Sequence, residues 1–156
     1  MHSVAREAGV AAGTVYVHYE SKEELVFATY QEIKSELGRV ALEAFDFEAS
    51  VDVQFRHILW ASHRYLAEDP SRAKFLSQLE ESPFHGPAKA RLAESGDPLT
   101  QLSVRLEDGV NWVDLPTDVL HTMSFGVVVR LVAAGVELSD QQVDVLIDAI
   151  WRGVTR

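Results

Sequence analysis

Thr14, Tyr16 and His18 stand close together near the start of the chain, and each ends in a polar group held on a short stem or an aromatic ring. Side chains of this kind hydrogen-bond to phosphate oxygens and to the edges of bases, which is the equipment of a helix that reads a DNA groove. Gly9 precedes them where one short helix must stop and the backbone turn sharply. Val4, Ala5 and Ala8, then Val10, Val15 and Tyr19, set small or flat side chains at the spacing that packs two short helices across such a turn. Other chemistry has little to stand on. His57 and His63 fall on different faces of one helix and do not form the i, i+4 pair that a metal uses, so no metal and no cofactor are expected. No serine sits in a nucleophile elbow and no glycine-rich loop follows a strand, so catalysis has no candidate residue.

The segment resembles the DNA-binding region of the TetR family of bacterial repressors. The family pattern places a small pair, Thr, an apolar residue, Tyr, a variable residue, His or Tyr, an aromatic, and then Asn or Ser with Lys after the turn glycine. Here those places hold Gly9, Gly13-Thr14-Val15-Tyr16, Val17, His18-Tyr19 and Ser21-Lys22. The resemblance implies that Thr14, Tyr16 and Lys22 hold phosphates or base edges, that Gly13 allows close backbone approach, and that Val17 and His18 face the groove. Ala12 and Glu20 occupy places where many relatives carry Lys or Arg, and Ala12 is counted with the contact segment. For Tyr19, core packing is the expected role.

Two features set the segment apart from the family pattern. Family members carry a complete helix and turn before the helix that contains Val4 to Ala8, whereas Met1 falls inside that helix. The head is therefore expected to be incomplete, through a start at an internal methionine or through loss of the first helix; the former is the simpler account, because methionine is an ordinary apolar residue at this place. Charge is the second feature. From Met1 to Phe45 there are four basic residues (Arg6, Lys22, Lys34, Arg39) against seven acidic ones (Glu7, Glu20, Glu23, Glu24, Glu32, Glu36, Glu43), a net of −3. DNA-binding segments are ordinarily basic, so weak or impaired operator binding is expected.

The elements needed to position these residues are all helices. Ser21 to Glu24 reads as a capping box opening a long amphipathic helix to about Phe45, with Leu25, Val26, Ala28, Ile33, Leu37, Val40 and Ala41 on its apolar side. Ser50 opens the next helix, which runs to Asp69, where Pro70 stops it. Phe55, Leu59, Ser62 and Leu66 form one stripe on it and His57, Trp60 and Arg64 another, the pattern of a central helix. Ser71 to Glu81 is a short helix, His85-Gly86-Pro87 a loop, Ala88 to Glu94 one or two turns, and Ser95 to Pro98 a break. Leu99 to Val110 follows as a helix and Asn111 to Leu115 as a loop. Pro116 to Ala134 and Asp140 to Val154 close the chain, the latter capped by Ser139 and Gln142 and preceded by Gly135 as a helix stop. Val127 to Val129 has strand propensity, but its context is that of a helix. The organisation expected is all-α and TetR-like: residues 1–45 as a truncated helix-turn-helix head with its connecting helix, and residues 46–156 as a ligand-binding and dimerisation body.

Composition bounds the partners. The chain has 156 residues, 47% hydrophobic, enough for one compact core. A net charge of −10 opposes indiscriminate binding to nucleic acid or anionic membrane. The sequence has no cysteine, which removes disulfides and thiolate chemistry and suits a cytoplasmic protein. The longest apolar run, Met123 to Val136, is broken by Arg130 and too short to span a bilayer, so no membrane association is expected. Trp60, Phe75, Leu79, Phe84, Trp112 and Met123 are candidates to line an apolar cavity, with His63, Arg64 and Gln78 to orient a small apolar or amphipathic guest. His121 shares a face with Phe125 and is placed equally at an interface or a pocket. Val143, Ile147, Ile150, Trp151 and Val154, with Val128 and Val132 on the preceding helix, give an apolar face larger than one chain requires, which points to a homodimer. The function expected is a ligand-responsive, homodimeric, DNA-binding transcriptional repressor; the alternative is a helical protein that binds or sequesters a small molecule without holding DNA.

Overall fold

The computed structural model describes residues 21–96 and 110–156. Helix α1 spans Lys22–Leu42, α2 Val51–Glu68, α3 Pro70–Glu80 and α4 His85–Glu94. After the second described segment begins, α5 covers Thr117–His121, a π turn covers Thr122–Gly126, α6 covers Val127–Ala133, and α7 covers Asp140–Val154. The expected helix at 99–110 and the reading segment at 12–18 lie outside the described residues.

The caps explain the boundaries. Ser21 Oγ accepts a hydrogen bond from the Glu24 amide at 3.1 Å and starts α1. Asp69 ends α2 and caps α3, accepting from the Ser71 amide at 3.1 Å, while Pro70 takes the first helical position, where it has no intrahelical bond to lose. Ser139 and Gln142 form a complete capping box on α7. At the end of α6, Gly135 turns with φ 73°, and the amides of Gly135 and Val136 bond back to Val132 and Leu131, closing a Schellman motif. Residues 85–87, expected as a loop, instead open α4. Pro87 falls in the first turn, where a missing N–H costs no helical bond, so a proline there does not exclude a helix.

The core forms around α2, which packs against α1, α3, α6, the π turn and α7. Its first expected stripe, Phe55, Leu59, Ser62 and Leu66, is buried, and Ile33, Leu37 and Ala41 of α1 meet it from one side. Along the α2–α7 seam, Trp60 Nε1 donates to Asp144 Oδ1 at 2.6 Å and Arg56 pairs with Asp148 one turn away. Val128, Val132, Val143, Ile147, Ile150 and Val154 are buried within the single chain, and Trp151 is half-buried against Phe55, with ring centroids 5.1 Å apart. Within the single chain α2 packs against α6 and α7, and α3 against α6. The side of α7 left to solvent carries Gln141, Val145, Ala149 and Arg152 instead.

The loop at 111–115 is non-helical, as expected. It pairs with the chain end through an isolated antiparallel bridge, Trp112 to Thr155, in which the Val113 amide donates to Val154 and the Arg156 amide to Asn111.

Candidate functional site

Of the residues assigned to DNA contact, Ala12, Gly13, Thr14, Tyr16, Val17 and His18 lie outside the described residues. Lys22 is described and is the first residue of α1, with an exposed side chain. A cation at a helix N-terminus opposes the helix dipole by ~0.3–1 kcal/mol, so Lys22 is not there to stabilise α1.

Two cavities, each partly open to solvent, flank α1. One of about 250 Å³ lies between α1 and α4, lined by Glu24, Phe27, Ala28, Tyr30, Gln31, Ala88, Arg91 and Leu92. Its mouth is held by Arg91, whose guanidinium sits 4.5 Å from the Phe27 ring centroid. A smaller cavity of about 40 Å³ lies among α1, α3, the start of α4 and the π turn. Leu76, Leu79, Phe125 and Val129 form its apolar wall, and Tyr30, Lys34, Glu80, His85 and His121 bring polar groups to it. Tyr30 lines both cavities and stands between them.

The charges around the smaller cavity are ordered. Lys34 Nζ lies 4.8 Å over the Phe125 ring, and the His121 ring packs on Phe125 at 5.3 Å. Lys89 pairs with Asp118 at 2.5 Å, and Arg130 reaches Glu80 at 3.7 Å. Although part of the residue meets solvent, the His121 imidazole is crowded. Burial first, and then the Lys34 and Lys89 ammoniums, push it down to about 4 against the weaker pull of Asp118. His121 is therefore a neutral donor and acceptor at ordinary pH.

The residues expected to line a pocket are spread over several places. Leu79 lines the smaller cavity. Trp60 is committed to Asp144 in the α2–α7 seam, and His63 packs beside it with ring centroids 6.1 Å apart. Burial lowers the His63 pKa, and its Nδ1 has no hydrogen-bond partner among the described residues. Arg64 and Gln78 point to solvent, while Phe75, Phe84 and Met123 are half-buried at the edge of the core. Trp112 packs against Phe55 and Trp151, with ring centroids 6.1 and 5.9 Å away. Tyr30, Lys34, Glu80 and His85 were not singled out in the sequence, and Phe125 only as sharing a face with His121, which also lines the smaller cavity. The signal available was two i, i+4 pairs, Tyr30 with Lys34 and His121 with Phe125, each joining an aromatic ring to a polar head on one helix face.

Comparison with known proteins agrees with this architecture. Residues 1–29 match the family model of bacterial regulatory proteins, tetR family. No curated protein sequence matches the chain. Among solved structures, the chain is similar to a TetR family transcription regulator from Marinobacter aquaeolei VT8, with TM-score 0.71 and 22% identity over 97% of this chain and 82% of that one. It is also similar to a putative tetR family transcription regulator from Shewanella sp. PV-4, with TM-score 0.73 and 16% identity over 98% and 85%. A third similar structure is the fatty acid degradation regulator FadR from Bacillus halodurans, with TM-score 0.64 and 20% identity over 97% and 84%. The fold is thus the all-helical fold of TetR-family transcription regulators, and the segment that matches the family model is the one whose residues read as a helix-turn-helix. No helix among the described residues is long and apolar enough to cross a membrane.

Proposed function

We propose that the chain is a TetR-family transcriptional repressor that binds operator DNA as a homodimer and releases it when a small molecule enters the body. The observation that carries this reading is the continuity of the N-terminal match with α1: a family-matched reading segment runs directly into a helix that lines both body cavities. Residues 1–45 form the head and connecting helix, and residues 46–156 the ligand-binding and dimerisation body. Ala12, Gly13, Thr14, Tyr16, Val17, His18 and Lys22 make the DNA contacts. The dimer sets two such segments in successive major grooves about 34–36 Å apart. A ligand that fits the body better in another arrangement changes that spacing by differential affinity for the two states. Such a protein works in the cytoplasm, where the DNA is.

Partner contact falls on the solvent side of α6 and α7, where Val145 is 62% exposed and Leu131 half-buried. A second reading has one observation in its favour: the net charge of −3 over residues 1–45 suits a body that binds a small molecule without holding DNA.

Anisotropy titrations with DNA from upstream of the protein's own reading frame, at several salt concentrations, separate the two. Sequence-preferring binding that weakens with salt is expected, and Lys22→Ala should weaken it on all sequences and flatten the slope by about one unit. Thr14→Ala or His18→Ala should instead reduce discrimination between sequences. Absence of any salt-dependent binding would remove the repressor and leave the small-molecule binding protein.

A further inference from the structure

We propose that the π turn at Thr122–Gly126 is a pivot built into the body: when it tightens to an α-helix, α5 turns relative to α6, withdrawing His121 from the smaller cavity beside α1 and parting Asp118 from Lys89. The inference concerns the body alone and does not rest on DNA binding. A π turn holds one residue more than the α turn it replaces. Tightening it with no residue removed therefore rotates what lies on one side by ~100°, the angle that one residue occupies in an α-helix.

Burial decides which side moves. Val128, Val129 and Val132 anchor α6 in the core against α2 and α3, whereas Thr117, Asp118, Val119 and His121 of α5 meet solvent in whole or in part. The π turn itself is seated on α7, where the Met123 methyl lies 4.0 Å from the place a Cβ would take at Gly153. Holding α5 down are the half-buried Leu120 and the Lys89–Asp118 pair, which is exposed on both sides and so holds weakly. Tightening the turn thus reshapes the cavity wall beside α1 without moving α6.

Two hydroxyls keep the turn open. Thr122 Oγ1 donates to the Asp118 carbonyl and Ser124 Oγ to that of Leu120, each at 2.8 Å. Each gives a carbonyl of the preceding turn a partner other than a backbone amide, which is how Ser and Thr loosen and bend helices from within. Removing both hydroxyls leaves the amides to supply those bonds and favours the α form.

His121 reports the rotation. In place it faces Lys34 on α1, Glu80 on α3, His85 and Lys89 on α4 and Asp118 on α5, and burial with the two ammoniums holds its pKa at about 4. Turned outward, it titrates near the ordinary value of ~6.5.

Proton NMR titration and hydrogen exchange of the full chain test the pivot, with His121→Asn assigning the resonance. In the unaltered protein the amides of residues 120–126 should exchange at least tenfold faster than those of 128–132. Deleting Thr122 removes the extra residue and keeps both flanks in register, so exchange over the turn should slow at least tenfold while His121 still titrates at about 4. Thr122→Ala with Ser124→Ala keeps the chain length and removes the hydroxyls, so the His121 pKa should climb toward ~6.5 with helix content unchanged. Should the deletion not fold, the double alanine variant, which alters no fully buried residue, carries the test alone. Equal exchange across 120–132 in the unaltered protein, a folded deletion variant whose exchange is no slower, or a His121 titration unmoved by the double alanine variant would overturn the proposal.

Discussion

Ala44 takes φ 55°, the left-handed region, immediately after Glu43 ends α1. A side chain costs about 1–2 kcal/mol there, whereas glycine has no Cβ to clash. Ala44→Gly should therefore stabilise the chain by ~0.5–1 kcal/mol in urea unfolding, after its larger loss of freedom on folding is counted. Gly135 is the converse case: it already occupies φ 73° with open space around it, and Gly135→Ala should destabilise by ~1 kcal/mol through backbone strain alone. The histidines set a third residue-scale expectation. His63 and His121 both titrate below their ordinary value of about 6.5, the first through burial and the second through burial with Lys34 and Lys89. The folded state thus resists their protonation more than the unfolded chain does, so their stabilising effect is full above pH 6.5 and is lost as pH falls toward 4. Unfolding free energy measured across that window should decline, and the double variant His63→Asn, His121→Asn should flatten the decline; an unchanged slope would show that other groups set it.

Among the elements, α7 is the one whose ends and apolar stripe are plainest in the sequence. Ser139 and Gln142 are spaced for a capping box, and the box forms with both reciprocal hydrogen bonds. Ser139→Ala should lower stability by ~1 kcal/mol, read as a lower denaturant midpoint with unchanged slope. The central position of α2 was equally legible, because Phe55, Leu59, Ser62 and Leu66 recur at helical spacing and all are buried. Leu66→Ala at that site should cost ~2–5 kcal/mol. The π turn was not legible. Thr122 and Ser124 donate their hydroxyls to the carbonyls of Asp118 and Leu120 at 2.8 Å, four residues back, and so compete with backbone amides for those acceptors. Neither residue interrupts the apolar pattern, so periodicity carries no trace of the extra residue. The smaller cavity escaped for a related reason: its polar groups come from α1, α3, α4 and α5, and only their packing brings Lys34 near His121. Trp60, Phe75, Phe84 and Trp112 drew the sequence-based search instead; Trp60 serves the α2–α7 seam, and the others pack against the core.

For the molecule as a whole, the burial of Val143, Ile147, Ile150 and Val154 within one chain changes how assembly should be tested. A dimer burying ~1,200–2,000 Å² would have to draw on the solvent sides of α6 and α7. Sedimentation at micromolar protein is expected to give the doubled mass, and Val145→Arg to shift it toward the monomer without loss of helix content. A monomer in the unaltered protein would refute the homodimer. One feature of the core has an optical consequence. The sequence has three tryptophans: Trp60 lies in the α2–α7 seam against Asp144, and Trp112 and Trp151 meet where the 110–116 loop touches α7, with ring centroids 5.9 Å apart at 77°. Indoles so close and so inclined couple their electronic transitions, giving a dichroic couplet that vanishes when α7 lifts from the loop. Because the reading segment carries no tryptophan, indole emission and that couplet form a built-in gauge of the body alone, unperturbed in origin by whatever the head does.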